Sequence, residues 1–307
     1  MSTSPTSHFP FLFEIAKKIR TAILPALQAG DVKRATKTAH SGDTTFRIDS
    51  VAEQALDKAV GENLAYFSED RGLVMRRTAP EWLLIVDPID GTRPLMCGFA
   101  MGVISIALCR FSHKATFDDI IAGVVLEINT GDWFYAEKGQ GVQVQTSQGR
   151  EVQPSTTEDL STMFWSYDTV GRPARWVSHY LGELIDSSGL QAGVFVVNNV
   201  AYCLTRIVTG HLDAHVEVGA RILKDHPESE ADFVRIGGGR IMGTFPYDIA
   251  ACYLILQEAN CVITDAYGHP LPNTQLLEQG KDAILSFVAA SNASLHKKII
   301  NILPALN

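Results

Sequence analysis

The first apolar residues of the chain have the spacing of an α-helix. They recur every four positions, at Phe11, Ile15, Ile19 and Ile23. This spacing predicts an amphipathic helix from about residue 11 to 28. A polar stretch over residues 30–45 separates this helix from the next apolar segment.

A second helix is predicted from apolar positions that begin at Val51 and recur to Val60. Ser50 is followed three residues later by Glu53, which is the pattern of a capping box. We therefore expect Asp49 to lie at the start of this helix. Helix capping alone is a sufficient structural reason for an acidic residue at that place.

From residue 64 onward the apolar residues form short runs separated by turn residues, as in β-strands. The runs before Pro154 are 64–67, 82–86, 102–108, 120–126 and 133–136. After Pro154, predicted strands (163–167, 194–197, 211–217, 261–265, 283–289) alternate with predicted helices (174–185, 200–208, 247–258 and beyond Asn292). This pattern predicts an α/β (α+β) protein of two domains, a helix pair on an antiparallel sheet in 1–154 and an alternating domain in 155–307.

Composition narrows the possible functions. The 307 residues are 46% hydrophobic and carry a net charge of −8 without a basic run, which argues against binding to a nucleic-acid polymer. The longest uncharged apolar stretch, residues 94–109, is shorter than the roughly 20 residues that span a bilayer. Residues 1–10 lack the pattern of a secretory signal. We therefore expect a cytoplasmic protein without a membrane segment.

The strongest chemical signal is an acidic motif directly after the predicted strand 82–86. Asp87-Pro-Ile-Asp90 and Gly91-Thr92 place two carboxylates, a flexible glycine and a hydroxyl at the carboxyl end of that strand. Ligand sites of α/β proteins favour such strand ends. Carboxylates are the ligands of Mg²⁺, which bridges protein oxygens to phosphate. The motif therefore predicts a metal and phosphate site.

Further acidic residues are candidates for the same site. Asp49 and Asp248 stand at predicted helix starts, and Glu69-Asp70 follows the predicted strand 64–67. Each has an ordinary structural explanation in isolation, as a helix-start residue or a solvated acid in a turn. Their occurrence together with the Asp87–Thr92 motif favours a common metal site.

These segments resemble the inositol monophosphatase family of metal-dependent, lithium-sensitive phosphatases. The similarity rests on Asp49, Glu69-Asp70, the motif 87–92 and Tyr247-Asp-Ile-Ala-Ala251, in the family's order, and covers roughly residues 10–300. It also includes Gly123-Val-Val, the segment 133–141 and Gly210-His-Leu-Asp-Ala-His-Val-Glu217. The resemblance implies a five-layer α-β-α-β-α architecture, hydrolysis of a small phosphorylated metabolite, and a homodimer.

The resemblance also implies a role for each residue. Glu69, Asp87 and the Ile89 carbonyl would hold one Mg²⁺, and Asp87, Asp90 and Asp248 a second, with a third ion as a further option. Thr92, assisted by Asp49, would orient a metal-activated water, and Asp70 stands where the family usually has a second catalytic glutamate. Gly91, Thr92 and Arg93 would bind the phosphate. Glu217 would reach a substrate hydroxyl or, alternatively, merely end a strand.

One segment departs from the family. Residues 218–247 replace a short connector and are expected beside the substrate pocket, so the inositol specificity does not carry over. Four cations within the segment, Arg221, Lys224, Arg235 and Arg240, are candidates for binding a second phosphate or for solubilising a lid. Tyr247 also stands where the family usually has tryptophan.

Several alternatives remain open at this point. A 3′(2′),5′-bisphosphate nucleotidase or sugar bisphosphatase would share the metal motifs and differ in the pocket lining. A catalytically silent phosphate-binding protein on the same scaffold is the alternative from another class. A haloacid-dehalogenase-type phosphatase fits poorly, because Pro88 stands where its nucleophilic aspartate would be.

Overall fold

The structure is a computed structural model in which residues 5–29, 35–38 and 44–304 are described. Most of the predicted polar stretch 30–45 and the outer ends of the two predicted domains lie outside these residues. The helices are α1 (Pro10–Gln28), α2 (Arg47–Ala59), α3 (Thr92–Met96), α4 (Ala174–Ser188), α5 (Val200–Val208), α6 (Gly219–Asp225), α7 (Glu230–Ile236), α8 (Pro246–Glu258) and α9 (Ala293–Ile302).

The strands form a short ribbon and two larger sheets. The ribbon pairs β1 (Ala35–Thr38) with β2 (Thr44–Phe46). The first half supplies β3 (Leu64–Ser68), β4 (Gly72–Val74), β5 (Trp82–Asp90), β6 (Val103–Arg110), β7 (Ile120–Glu127), β8 (Trp133–Glu137) and β9 (Val142–Gln145). The second half supplies β10 (Phe164–Tyr167), β11 (Gly193–Val196), β12 (Ala214–Glu217), β13 (Val262–Asp265) and β14 (Phe287–Ala290).

The two sheets differ in strand direction. The seven-stranded sheet has the order β4-β3-β5-β6-β7-β8-β9, with β3 and β5 parallel and the other neighbours antiparallel. The five-stranded sheet has the order β11-β10-β12-β14-β13. Its strands β11, β10 and β12 run parallel, so their carboxyl ends meet at one edge.

Three hydrophobic clusters arrange helices and sheets in layers. Helices α1 and α2 cover one face of the seven-stranded sheet, and α4, α6 and α9 cover the outer face of the five-stranded sheet. Helices α5 and α8 lie between the sheets. Ten of the 13 residues of α8 are buried, as expected for a helix with apolar neighbours all round. The expected α-β-α-β-α architecture is confirmed.

The central layer also connects the two halves of the chain. The sheets separate between β9 and β10, a stretch that contains the expected boundary near residue 155. Helices α5 and α8, however, come from the second half and pack on the sheet of the first. Gly123 on β7 allows this approach, since a Cβ there would lie 3.0 Å from the Ala251 carbonyl oxygen of α8. The division into domains 1–154 and 155–307 stays a prediction.

The start of α2 differs from the prediction. The helix begins at Arg47 rather than after Ser50, and Phe46 is its N-cap residue. Asp49 itself closes the first turn, because its Oδ2 accepts a hydrogen bond of 2.7 Å from the Phe46 backbone N–H. The predicted Ser50–Glu53 capping box is therefore wrong, since Ser50 already lies inside the helix and Glu53 is buried.

Most other elements lie close to their predicted places. The last strand begins at Phe287 rather than at residue 283, because residues 281–283 form a 3₁₀ turn. The sequence pattern does not predict the ribbon strands β1 and β2, the short strands β4 and β9, or the helices α6 and α7. Among the described residues, no helix is both long and apolar enough to cross a membrane.

Candidate active site

Most of the predicted site residues line one cavity between the two sheets. Its lining includes Glu69, Asp87, Ile89, Asp90, Gly91, Thr92, Arg93 and Asp248. Asp49 and Asp70 line an adjoining recess that shares Glu69, Asp87 and Ile89 with the cavity. Glu217 lines neither space.

The hydroxyl of Thr92 is held at the junction of the cavity and the recess. Its Oγ1 lies 2.7 Å from Asp49 Oδ1 and 3.1 Å from the Ile89 carbonyl oxygen, and donates its proton to these acceptors. Because Asp49 Oδ2 is bound by the Phe46 N–H, the carboxylate cannot rotate without losing a hydrogen bond. The lone pairs of Thr92 are therefore left in a fixed position to accept a hydrogen bond from another molecule.

Asp90 is positioned by the start of α5. Its Oδ2 accepts a hydrogen bond of 2.6 Å from the Ala201 N–H, and its carbonyl oxygen accepts one of 2.9 Å from Asn199 Nδ2. The Asn199 side chain also bonds the Met101 carbonyl and caps α5. Gly91 makes room for it, because a Cβ at this position, where φ is +82°, would lie 2.0 Å from Asn199 Nδ2. Asn199 is therefore a positioning residue that sequence reasoning missed.

Asp248 is fixed in the same way as Asp49. It is the third residue of α8, and its Oδ2 accepts a hydrogen bond of 2.6 Å from the N–H of the N-cap residue Phe245. Phe245 also stacks on Tyr247, with ring centroids 5.5 Å apart. Both helix starts thus use the sequence Phe-x-x-Asp, and each directs one carboxylate toward the site.

Burial and mutual repulsion make the carboxylates of the cavity resist ionisation. Burial raises the pKa of Asp87 well above its usual value, and the nearby charges of Asp90, Asp248 and Glu69 raise it further. Burial likewise raises the pKa of Asp90 and of Asp248, although backbone N–H groups act in the opposite direction. The repulsion among these carboxylates falls when they bind either protons or cations.

The donor set fits a hard divalent cation. Glu69, Asp87, the Ile89 carbonyl, Asp90 and Asp248 offer only oxygen ligands. Within the described part of the chain, no three His, Cys, Asp or Glu side chains are arranged closely enough to hold an ion by themselves. An open arrangement suits Mg²⁺, which keeps several waters and completes its octahedron with substrate phosphate rather than with a protein cage.

Asp70 lies in the recess that adjoins the cavity. Its Oδ1 accepts a hydrogen bond of 2.6 Å from Thr45 Oγ1, so the short strand β2 reaches the recess. Glu53 of α2 also lines the recess, and burial raises the pKa of Glu53 to about 7. Sequence reasoning had interpreted Glu53 only as part of a cap.

The opposite wall of the cavity is formed by the second half of the chain. Arg172 lines it, and its Nη2 donates hydrogen bonds of 2.5 Å to Glu217 Oε2 and 2.8 Å to Thr244 Oγ1. Its Nη1 donates to the Val170 carbonyl. Burial lowers the pKa of Arg172, but the charge and hydrogen bond of Glu217, together with the charges of Asp168 and Asp248, outweigh this and raise it. Arg172 is thus a charged part of the wall with most of its N–H groups already in use.

This geometry does not support the substrate contact expected for Glu217. Its side chain is 1% exposed, and Arg172 lies between it and the cavity. Besides Arg172, its Oε1 accepts a hydrogen bond from the Gly219 N–H. Glu217 therefore orients Arg172 in this structure, and Arg172 faces the cavity in its place.

Asp168 and Asn198 are further cavity residues that sequence reasoning missed. They follow the parallel strands β10 and β11 at the edge where carboxyl ends meet. Asn198 adopts a left-handed conformation (φ 53°), which asparagine tolerates, and its Oδ1 accepts hydrogen bonds from Thr169 and Val170 N–H. The only signal for them in the sequence was their place directly after predicted strands.

The end of the unusual segment 218–247 completes the cavity. Met242, Gly243 and Thr244 line it, as expected for a segment beside the pocket. Among the described lining residues, none is one of the four cations considered for a second phosphate. Arg221 is buried and donates to the carbonyls of Ala266 and Pro304, so it anchors α6 to the body of the protein.

Comparison with known proteins identifies the fold family. The family model "Inositol monophosphatase family" matches residues 6–306. A "Bifunctional NADP phosphatase/NAD kinase" of Methanocaldococcus jannaschii is 25% identical over 95% of this chain and 50% of its own. A "Fructose-1,6-bisphosphatase/inositol-1-monophosphatase" of Methanothermobacter thermautotrophicus is 25% identical over 95% of both chains. The chain thus spans about half the length of the bifunctional relatives and nearly all of the other.

A solved structure has the same fold. The extragenic suppressor protein SuhB of Bartonella henselae superposes with a TM-score of 0.71, at 18% identity, over 95% of this chain and 96% of that one. The order of the acidic segments, the five-layer architecture and the match over nearly the whole length agree. The chain belongs to the inositol monophosphatase family.

Proposed function

We propose that this protein is a Mg²⁺-dependent phosphatase that hydrolyses the phosphate monoester of a small metabolite. The observation that carries this proposal is the cavity in which Glu69, Asp87, Asp90 and Asp248 meet the Thr92–Asp49 pair. Family membership and relatives named as phosphatases support it.

The carboxylate side of the cavity would hold the cations. Glu69, Asp87 and the Ile89 carbonyl would hold one ion, and Asp87, Asp90 and Asp248 would hold a second. Asp70 and Glu69 border the recess, where a third ion would bind. When bound, the cations would supply a water of lowered pKa and stabilise the charge on the attacking and leaving oxygens.

The chain's own groups would position the reactants. Thr92, whose proton is donated to Asp49, would accept a hydrogen bond from the attacking water and fix its direction. Gly91, Thr92 and Arg93 at the start of α3 would bind the phosphate oxygens. Asn199 and the Ala201 N–H would keep Asp90 in place during the reaction.

Two alternatives share this machinery. The relatives named as NADP phosphatase and as fructose-1,6-bisphosphatase favour a bisphosphate or dinucleotide substrate, as would a bisphosphate nucleotidase. A catalytically silent phosphate-binding protein would retain the cavity without turnover. The complete set of carboxylates and the Thr92–Asp49 hydrogen bond favour an enzyme.

We further propose a cytoplasmic, lithium-sensitive homodimer. The edge strand β11 has a free side in the described part of the five-stranded sheet, and Phe164, Phe195 and Val196 are exposed at 44 to 46% beside it. Exposed apolar residues along an edge strand are typical of interfaces. Sedimentation of the wild type against Phe195→Glu tests the dimer, which the variant should weaken. Inhibition by millimolar Li⁺ tests the sensitivity.

Phosphate release from a panel of esters tests the proposed activity. The panel contains inositol monophosphate, fructose 1,6-bisphosphate, adenosine 3′,5′-bisphosphate, NADP and histidinol phosphate, each with Mg²⁺ and with EDTA. We expect turnover that requires Mg²⁺, with the order of kcat/KM giving the substrate class. Mg²⁺ binding without turnover of any ester would favour the silent phosphate-binding protein.

A further inference from the structure

Asp168 is a half-buried carboxylate with one buried oxygen, and the proposed chemistry does not use it. It lines the cavity together with Val170 and Arg172, and its charge adds to the raised pKa of Asp90 and of Asp248. Its Oδ1 is buried, and among the described residues no hydrogen-bond donor reaches it. A buried carboxylate oxygen without a donor is costly, and such atoms call for a partner that is absent from the protein alone.

The surroundings of Asp168 are built to hold it in this position. The Asn198 side chain fixes the following residues through the N–H groups of Thr169 (2.9 Å) and Val170 (3.3 Å). Burial raises the pKa of Asp168, while the Arg172 charge and the Asn198 backbone N–H lower it. The carboxylate is thus aimed at the cavity from a rigid strand end, which is how recognition groups are preorganised.

Arg172 does not neutralise this carboxylate completely. The guanidinium is already paired with Glu217, so with Asp168 ionised the three residues Asp168, Arg172 and Glu217 have a formal net charge of −1. The four cations of the segment 218–247 do not line the cavity. This wall therefore offers a hydrogen-bond acceptor with negative charge, and it repels a second phosphate.

We propose that Asp168 is a specificity-determining residue that accepts a hydrogen bond from a hydroxyl or ammonium group on the alcohol part of the substrate. The inference rests on the proposed function. Its consequence is a preference for a monophosphate whose alcohol carries such a donor over an ester without donors and over a bisphosphate. Gly91, Thr92 and Arg93, with cations held by the neighbouring carboxylates, would bind the reacting phosphate, and Asp168 selects the alcohol attached to it.

The test compares esters within one enzyme sample. Phosphate release is measured with myo-inositol 1-phosphate, which carries hydroxyl donors, with cyclohexyl phosphate, which has the ring without them, with histidinol phosphate, which carries an ammonium group, and with fructose 1,6-bisphosphate. The variants are Asp168→Asn, Asp168→Ala and the exposed control Asp186→Asn on α4. Ratios of kcat/KM within one sample do not depend on the folded fraction.

We expect Asp168→Asn and Asp168→Ala to reduce the preference for the better donor ester over cyclohexyl phosphate by roughly ten- to a hundredfold, mainly through KM. Relative activity on the bisphosphate should rise, and Asp186→Asn should change neither ratio. A larger loss with histidinol phosphate than with inositol phosphate would identify a cationic donor, and the reverse a hydroxyl.

Two results would overturn the inference while leaving the phosphatase intact. One is an unchanged ester ratio in both variants. The other is an equal loss on every ester together with weaker Mg²⁺ binding by calorimetry, which would make Asp168 a metal ligand. No turnover of any ester by the wild type would instead remove the proposed function, and this inference with it.

Discussion

The two walls of the cavity are built in different ways. On one wall, two short segments and one helix start supply Glu69, Asp87, Asp90 and Asp248, whose pKa values are raised or whose charges raise those of their neighbours. On the facing wall, Arg172 and Glu217 form a buried ion pair and Asp168 stands beside it. The negative charge of the first wall has no counter-charge until cations bind. On the second wall, Arg172 compensates most of the negative charge within the protein.

This difference in charge assigns catalysis to the first wall and substrate preference to the second. Repulsion among the carboxylates of the first wall favours any ligand that brings positive charge, so that wall would bind metal and, through it, phosphate. The facing wall has a fixed hydrogen-bond network and one residual acceptor. Changes to the first wall should therefore abolish turnover, and changes to the second should alter stability or preference.

The largest expected effect on the first wall is the loss of phosphatase activity in Asp90→Asn. The variant keeps the shape of the side chain but removes a charged ligand, so several kcal/mol of charge stabilisation should be lost, or about a thousandfold in kcat. Mg²⁺-dependent phosphate release measures the effect, with Asp186→Asn as the exposed control. Phosphate release that survives in Asp90→Asn would make the two-metal mechanism wrong.

Breaking the ion pair of the facing wall should destabilise the folded protein. Arg172→Met leaves Glu217 buried without its partner, which should lower the free energy of unfolding by about 3–5 kcal/mol. Adding Glu217→Gln should recover part of that loss. Urea unfolding of both variants measures this, with Arg235→Met, at an arginine 66% exposed, as the control. Equal stability of Arg172→Met and the wild type would contradict the claim that Arg172 compensates the buried charge of Glu217.

A finer change separates the water-orienting pair from the metal ligands. Thr92→Val removes the hydroxyl that donates to Asp49, and kcat should fall about a hundredfold with little change in Mg²⁺ affinity. Thr92→Ser retains the hydroxyl and should keep most of the activity. If Thr92→Val and Thr92→Ser have the same kcat, the hydroxyl does not orient the water.

The smallest expected effect concerns the metal-free protein. Asp87, Asp90 and Asp248 have raised pKa values when folded, so the folded chain binds more protons than the unfolded chain above the usual Asp value. Their contribution to stability is therefore lost as pH rises above about 4. At pH 8 without metal, Asp90→Asn should be more stable than wild type by about 1 kcal/mol.

Thermal unfolding in EDTA at pH 5 and pH 8 measures this effect. The advantage of Asp90→Asn should shrink toward pH 5 and reverse when Mg²⁺ is added, because the wild type then gains binding energy. A constant difference at both pH values would mean that the carboxylates do not repel one another as described.

The first wall could be predicted from the sequence because its residues lie in short motifs at strand ends and helix starts. Asp87 and Asp90 are three residues apart, and Asp248 lies at the start of a recognisable apolar helix. Even there the predicted cap is wrong, since Phe46 rather than Ser50 precedes α2, and Asp49 rather than Glu53 accepts the N–H of the N-cap residue. Propensity alone does not distinguish these possibilities.

The second wall could not be predicted because its partners are far apart in the chain. Arg172 and Glu217 are 45 residues apart, and Asn199 meets the Asp90 carbonyl across 109. The register of three parallel strands brings them together. The resemblance implied that Glu217 reaches a substrate hydroxyl, but in this structure the long Arg172 side chain lies between Glu217 and the cavity.

Anomalous diffraction from crystals soaked in Mn²⁺ tests the central claim most directly, since Mn²⁺ accepts the same octahedral oxygen ligands as Mg²⁺. The account predicts at least two peaks in the cavity, on either side of Asp87, one toward Glu69 and the Ile89 carbonyl and one toward Asp90 and Asp248. Peaks only outside this cavity, or none at millimolar Mn²⁺, would contradict the assignment of the first wall as the metal site.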